Sequence, residues 1–468
     1  MSTPRMSFKK LRSSSVVVAV TVASLMVLGG CKGLQPAMTG ATGMQSINHI
    51  IFMVQENRSL DHYFGQLPAY FAANGYPQAT QQPSFDGLPA HASNPSYDGT
   101  SVVNAYHLAT ECIQGLSPSW NESHVDWNRD APTSSTAKMD GFVYTAAHYA
   151  LNPPPGEGPI YDTAGIRAMG YYDSSDLNYY YFMAANFATS DRWFSPALDR
   201  TQINRMYLMA ATSQGYAYPI GTNAADSASL TAPTLFDALE KAGISWKIYV
   251  TDPKTTYLTM FARYAPPHPL PPNVVPASQF LADAQNGTLP QVALIEGGYE
   301  SGLDEHPNDN VQAGAQYVAS VINGFMASVS WNDSVFILTF DEGGGLYDHV
   351  APQPAVNPDG IAPKDLLPTD ICSVPGGANC DFNYTGFRVP LIVISAFTKK
   401  NYVSHTVADY TAILTFIEKR FGIPPLTKRD AAQMDMTEFF DFVNVPWFTP
   451  PSPPAQATDG ACNYQQLQ

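Results

Sequence analysis

The sequence predicts an α/β protein, a three-layer α/β/α arrangement around a mostly parallel central sheet with long loop insertions. Three observations lead there. Short apolar runs recur along the chain, amphipathic stretches separate them, and two of the runs close on side chains able to hold a metal. Strands that alternate with helices pair in parallel and are covered on both faces, and ligands collect outside the carboxyl ends of such strands.

The first strand is NHIIFMV, near the start of folding at Ile47, and it runs on to Glu56 and Asn57. SWKIYV, QVALIE, SVFILTF and PLIVIS follow, with SVFILTF closing on Asp341 and Glu342 ahead of three glycines. Apolar runs of this length between polar or Gly-rich sequence are expected of buried parallel strands. TLFDALEKAG and DYTAILTFIEKRFG read as helices with a glycine stop, and AGAQYVASVINGFMASV as a third helix. The stretch from about residue 66 to 190 is dense in Pro, Ser, Tyr and Asn, and predicts loop excursions that roof the sheet edge. The tyrosine runs Tyr171-Tyr172 and Tyr179-Tyr180-Tyr181 within it are expected in the core or its wall. Four segments result: a leader over 1–30, a flexible tether over 31–46, the folded domain over 47–445 and a Pro-rich irregular tail over 446–468.

The leader is basic, then apolar, then small, and Leu28-Gly29-Gly30 precede Cys31. That is the pattern of an exported chain, and it resembles a bacterial lipobox in which Cys31 is acylated. Export to the cell envelope and membrane attachment through a lipid follow as expectations. The apolar run is marginal for a span of about 20 residues. Only 14% of residues are charged, and the formal net charge is −16. Removing the leader leaves 20 basic against 40 acidic residues, so the bulk field disfavours nucleic acid and anionic surfaces. A phosphate site in such a chain needs local cations. Beyond Cys31, the four cysteines Cys112, Cys372, Cys380 and Cys462 permit two disulfides whose pairing the sequence leaves open, and Cys372 and Cys380 are close enough to pin one loop.

Carboxylate and amide oxygens without sulfur point to Ca²⁺, Zn²⁺, Mg²⁺ or Mn²⁺ at Glu56, Asn57, Asp341 and Glu342. Thr201 opens the helix-like stretch TQINRMYLMA. A hydroxyl at a helix N-terminus beside a divalent cation can lose its proton and attack phosphorus. Asn204 and Arg205 follow within one turn as substrate-binding candidates. His124, His306, His349 and His405 all stand in polar, loop-like contexts, suited to neutralising phosphate oxygens or protonating a leaving alkoxide.

These residues resemble a family of bacterial phosphoesterases, the phosphatidylcholine-type phospholipases C and related acid phosphatases of the alkaline-phosphatase-like superfamily. The resemblance lies in INHIIFMVQENRSLDHYFG, the SHVDWN and KMDGF pair, MGYYDSSDLNYYYFMAANFATSDRWF, TQINRMYLMAATS, LFDALEKAGISWKIY, DEHPNDNVQAGAQYV, TFDEGGGLYDHVAP and GFRVPLIVISAF, in family order from about Ile47 to Gly422. It implies an alkaline-phosphatase-like fold and makes 47–445 a catalytic domain. It places Glu56, Asn57, Asp341 and Glu342 on the metal, with Thr201 as nucleophile and further ligand, and gives Asn57 a second role on a phosphate oxygen. It also implies His124, His306 and His349 around the phosphate, and a covalent phospho-threonine. Two departures stand out. Asp409-Tyr410-Thr411-Ala412 replaces a segment close to DHTS, which leaves His405 and Asp409 outside the expected site. Asp199-Arg200 replaces Gly-Pro before Thr201, giving Arg200 either a phosphate contact or a salt bridge to Asp199. The expected activity is phospholipase C-like hydrolysis of phosphate esters, phospholipid among them. Acid phosphatase action on monoesters is the alternative, and a lipid-anchored surface protein with a lost active site is the reading from another class.

Overall fold

The computed structural model describes residues 43–156, 158–220, 229–252 and 256–468; the leader, Cys31 and most of the tether lie outside them. Eight strands form the central sheet: β1 (His49–Gln55), β2 (Ala188–Ser190), β3 (Trp246–Val250), β4 (Val274–Pro276), β5 (Val292–Glu296), β6 (Ser334–Phe340), β7 (Leu391–Ser395) and β8 (Tyr402–Ser404). Their spatial order is β8-β2-β7-β6-β1-β5-β3-β4. Only β7 runs against the rest, pairing antiparallel with β6 and β2. All five strands expected from the apolar runs are present, and β5, β6 and β7 are buried at every position. Such uninterrupted burial requires cover on both faces of the sheet.

The three anticipated helices form as α3 (Leu235–Ala242), α4 (Val311–Met326) and α5 (Ala412–Phe421), of which α3 and α5 end at left-handed glycines, Gly243 and Gly422. Two others bear on the site, α1 (Trp120–Trp127) and α2 (Thr201–Ala210). The stretch from 66 to 190 is less irregular than its composition implies, because it folds short helices over Leu67–Asn74, Phe142–Leu151 and Asn178–Asn186. Tyr172, Tyr179, Tyr180 and Tyr181 are fully buried in the main core, which answers the tyrosine runs. After Phe439 the tail carries no helix or strand, yet it is fastened. Cys112 is bonded to Cys462, Trp331 Nε1 donates to the Trp447 carbonyl, and Leu467 is buried. Cys372 and Cys380 close their short loop. Among the described residues, no helix is long and apolar enough to cross a membrane.

With seven of eight strands running one way, β1, β2, β3, β5, β6 and β8 all deliver their carboxyl ends to one edge. Glu56-Asn57 and Asp341-Glu342 therefore meet there, because β1 and β6 are direct neighbours in the sheet.

Candidate active site

The two strand ends are laced together by their own backbone. Asp341 N donates to the Gln55 carbonyl at 3.0 Å, and Asn57 N donates to Asp341 Oδ1 at 2.9 Å. Asn57 takes a left-handed backbone (φ 58°), and its Nδ2 donates to Glu342 Oε1 at 2.6 Å. Gly344 passes so close that a Cβ there would lie 2.3 Å from the Asn57 carbonyl oxygen, and its φ of 70° also disfavours a side chain. Gly344 is thus a steric condition for seating Asn57.

Thr201 is the first residue of α2, with Arg200 as N-cap. Its hydroxyl donates to Glu56 Oε2 at 3.0 Å. The other Glu56 oxygen accepts from Arg205 Nη2 and Tyr257 OH, both at 2.8 Å. Arg205 Nε lies 3.8 Å from Asp341 Oδ2, and its guanidinium sits over the Tyr257 ring. Burial works against the Glu56 charge, but Arg205 and His306 outweigh it and hold the acid at about 2. Burial raises Asp341 and Glu342 well above the carboxylate range, and the neighbouring Glu56 charge adds to this. Three buried acids therefore face one buried guanidinium, an arrangement short of positive charge.

His306 comes from the loop after β5. Its Nδ1 meets Asp304 Oδ2 at 2.9 Å, and its Nε2 lies 3.8 Å from Glu56 Oε2. Glu305 points the other way, accepting from Tyr63 and Tyr180 hydroxyls and from Gln55 Nε2. Arg58 donates to the carbonyls of Glu305 and His306. The ENR and DEH motifs thus brace one another across the sheet edge.

A cleft of about 560 Å³ opens over this floor, lined among others by Asn57, Arg200, Thr201, Tyr257, Tyr299 and His306. The donor chemistry fits a divalent cation. Asn57 Oδ1 and Asp341 Oδ2 are buried without a hydrogen-bond partner, beside Glu56, Glu342 and the Thr201 hydroxyl. Oxygen-only donors of mixed charge suit a hard or borderline ion, and one such charge would let all three acids ionise.

Several expected positions need correction. His124 does not reach the cleft. It is fully buried in α1, its ring nitrogens facing the Trp120 and Asn379 carbonyls, and burial lowers its basicity. His349 also lies outside the lining, held between Asp61 (2.7 Å) and Asp86 (3.1 Å). Asn204 is fully buried and binds the turn before its own helix, through Ala197 and Asp199. Arg205 faces the acids instead of the cleft. No Arg200–Asp199 side-chain pair forms among the described residues; Arg200 lines the cleft, while Asp199 Oδ2 is buried without a partner. His405 pairs with Asp191, and Asp409 with Arg429. Sequence reading missed Tyr257, for which no local signal exists, and Asp304, whose place beside His306 in DEHP was the available clue.

Residues 47–424 match the profile of the Phosphoesterase family. The chain is 29% identical to phospholipase C B of Mycobacterium tuberculosis, over 94% of this chain and 86% of that protein. It is 27% identical to the non-hemolytic phospholipase C of Pseudomonas aeruginosa, over 95% and 64%, and 27% identical to non-specific phospholipase C1 of Arabidopsis thaliana, over 84% and 71%. Among solved structures, an alkaline phosphatase superfamily protein from Vibrio parahaemolyticus aligns with a TM-score of 0.32 at 12% identity, covering 79% of this chain and 78% of that one.

Proposed function

Since this chain belongs to the phosphoesterase family and is a hydrolase acting on phosphoric esters, we propose that it works as a phospholipase C-like enzyme in which Thr201 attacks phosphorus. The observation that carries this reading is the Thr201 hydroxyl at the start of α2, 3.0 Å from Glu56 and on the lining of the cleft. Glu56, Asn57, Asp341, Glu342 and Thr201 would hold the divalent ion. The ion, when bound, lowers the pKa of the hydroxyl and offsets phosphoryl charge. Glu56 orients the hydroxyl toward its role as nucleophile. The Thr201 hydroxyl gives its proton to solvent water, its oxygen bonds to phosphorus as the ester P–O bond breaks, and the leaving alkoxide takes up a proton. His306 would supply that proton, and Arg200 would bind an equatorial oxygen. Water then hydrolyses the phospho-threonine and restores the hydroxyl. The helix N-terminus favours the anion throughout.

Monoester hydrolysis is the second reading. Arg200 and His306 together offer two cations in the cleft, which suits a dianionic monoester better than a monoanionic diester. An inactive surface protein is disfavoured because every proposed ligand and the nucleophile are present. Export and acylation at Cys31 belong to the same proposal, and the two disulfides accord with an oxidising compartment.

The test compares nitrophenol release from nitrophenyl phosphorylcholine and from nitrophenyl phosphate. Thr201→Ala should lower kcat on the preferred ester by at least about 10³-fold, and a chelator should abolish turnover reversibly. Full activity in Thr201→Ala removes the nucleophile assignment, and the ratio of the two rates decides between the readings.

A further inference from the structure

The segment that carries His306 is held at three consecutive carbonyls. That of His306 accepts from Arg58 Nη2 at 3.0 Å, that of Pro307 from Ile113 N at 2.7 Å, and that of Asn308 from Tyr464 OH at 2.7 Å. Asp304 takes the Nδ1 side of the ring, which leaves Nε2 as the nitrogen able to serve a substrate. Arg58 belongs to the turn after β1, but the other two grips come from far along the chain. Ile113 adjoins Cys112, Tyr464 lies two residues past Cys462, and these two cysteines are bonded to each other. One covalent bridge therefore joins the two segments that hold Pro307 and Asn308.

Hydrogen bonds fix the carboxyl-terminal tail at the same place. Glu111 N donates to the Ala461 carbonyl at 3.1 Å, Asn463 N to Thr110 Oγ1 at 2.7 Å, and Asn310 Nδ2 to the Gly460 carbonyl at 3.0 Å. Leu467 is buried, as a residue that only anchors a tail should be. Tyr464 is different. It is partly exposed, it lines the catalytic cleft together with His306, Pro307 and Asn308, and its hydroxyl is spent on the loop. The tail also lies beyond residues 47–424, which match the family profile.

We propose that the tail is a working part of the active site, with Tyr464 a positioning residue that holds the His306 loop and the Cys112–Cys462 bond keeping Tyr464 in place. The proposal rests on His306 as proton donor to the leaving alkoxide. Proton transfer needs the donor within hydrogen-bond reach of the departing oxygen, and a misplacement of about 1 Å can cost about a hundredfold in rate. Asp304 orients the imidazole ring, but the backbone that carries the ring is set by the three carbonyl grips, two of which depend on the tail or its partner segment.

The experiment uses the full chain and two esters of the phosphate it prefers, the 4-nitrophenyl and the n-hexyl, with kcat/KM measured for each. Nitrophenolate leaves as a stable anion, whereas the hexyl alkoxide needs a proton. A change in the ratio of the two therefore reads the placement of the donor, which a general loss of folded protein does not move. Tyr464→Phe keeps the ring on the cleft wall and removes the hydrogen bond. It should lower hexyl ester turnover roughly threefold and leave the nitrophenyl ester unchanged. Cys112→Ala/Cys462→Ala should lower the hexyl ester by roughly tenfold or more, again with the smaller effect on the nitrophenyl ester. Gln456→Ala removes tail bonds to the Asp176 and Ala457 carbonyls, away from the loop, and should lower the melting temperature with the ratio unchanged. His306→Gln reports on the donor itself. If it shifts the ratio while Tyr464→Phe and the double cysteine variant lower both esters equally or neither, the tail proposal alone is overturned. If His306→Gln leaves the ratio unchanged, the donor reading fails and the role of the tail fails with it.

Discussion

Arg205→Met separates the contribution of the guanidinium from that of a metal. In the folded chain Arg205 meets Glu56 Oε1 at 2.8 Å with both side chains buried, and it donates to the Val54 and Gln55 carbonyls. Glu56 is held at about 2 against an ordinary 4.5, a difference of roughly 3 kcal/mol at neutral pH. Breaking a buried pair from one side costs roughly 3–5 kcal/mol, so the two figures agree. Methionine keeps much of the packing on Tyr257 but supplies no charge. In chelator, the variant should therefore lose about 4 kcal/mol, read from urea midpoints at constant slope. With saturating divalent ion, a second positive charge faces the same acids, and the loss should fall to about 2 kcal/mol, the share of the two carbonyl bonds at roughly 1 kcal/mol each. The pH profile follows from a depressed folded pKa. The Glu56 contribution is present above 4.5 and lost as pH falls through 2, and the variant should lack it. An equal loss with and without the ion would refute a metal seated on these acids.

Gly344→Ala forces a Cβ against the Asn57 carbonyl at a left-handed position. It should cost about 1–3 kcal/mol and weaken metal affinity measured by calorimetry, whereas Gly360→Ala, with open space around it, should leave affinity unchanged. His349 is nearly buried and, despite that burial, is lifted to about 9 by hydrogen bonds to Asp61 and Asp86. A raised folded pKa stabilises fully below 6.5, and this is lost as pH rises through 9. His349→Gln should thus cost roughly 3 kcal/mol at pH 6 and little at pH 10, measured by denaturant titration at both.

The sheet was legible because its physics is local. A run such as SVFILTF has few ways to be buried other than as an inner strand, and its neighbours NHIIFMV and PLIVIS impose the same choice. The metal-capable pairs were legible for the same reason, since a strand's carboxyl end fixes where its next two residues stand. The histidines were not. SHVDWN is polar in composition, yet α1 turns His124 inward onto Trp120, ring centroids 4.3 Å apart, and its nitrogens are spent on carbonyls. His349 follows Asp348 in a polar turn, but its partners Asp61 and Asp86 are more than 260 residues away in sequence. A motif gives a side chain's neighbours along the chain, and not the direction in which its ring nitrogens point. Tyr257 shows the same limit, since its hydroxyl reaches Glu56 across 201 positions.

The distribution of charge explains why the site needs the arrangement it has. The chain carries 40 acids against 24 bases, and its long-range field opposes an approaching phosphate ester. Two features of the cleft act inside a Debye length of about 8–10 Å, where that field is weakest relative to local charge. One is the pair Arg200 and His306 on its wall; the other is the N-terminus of α2, which presents Thr201 with unpaired backbone N–H groups. On the floor, Arg205 offsets Glu56 and part of Asp341, but burial and the Glu56 charge still push Asp341 and Glu342 well above the ordinary carboxylate range. Buried acids without compensation would simply take up protons and cease to be useful. A divalent ion at the Asn57 and Asp341 oxygens would turn that instability into the driving force for its own capture, and would place positive charge beside the Thr201 hydroxyl at the start of α2.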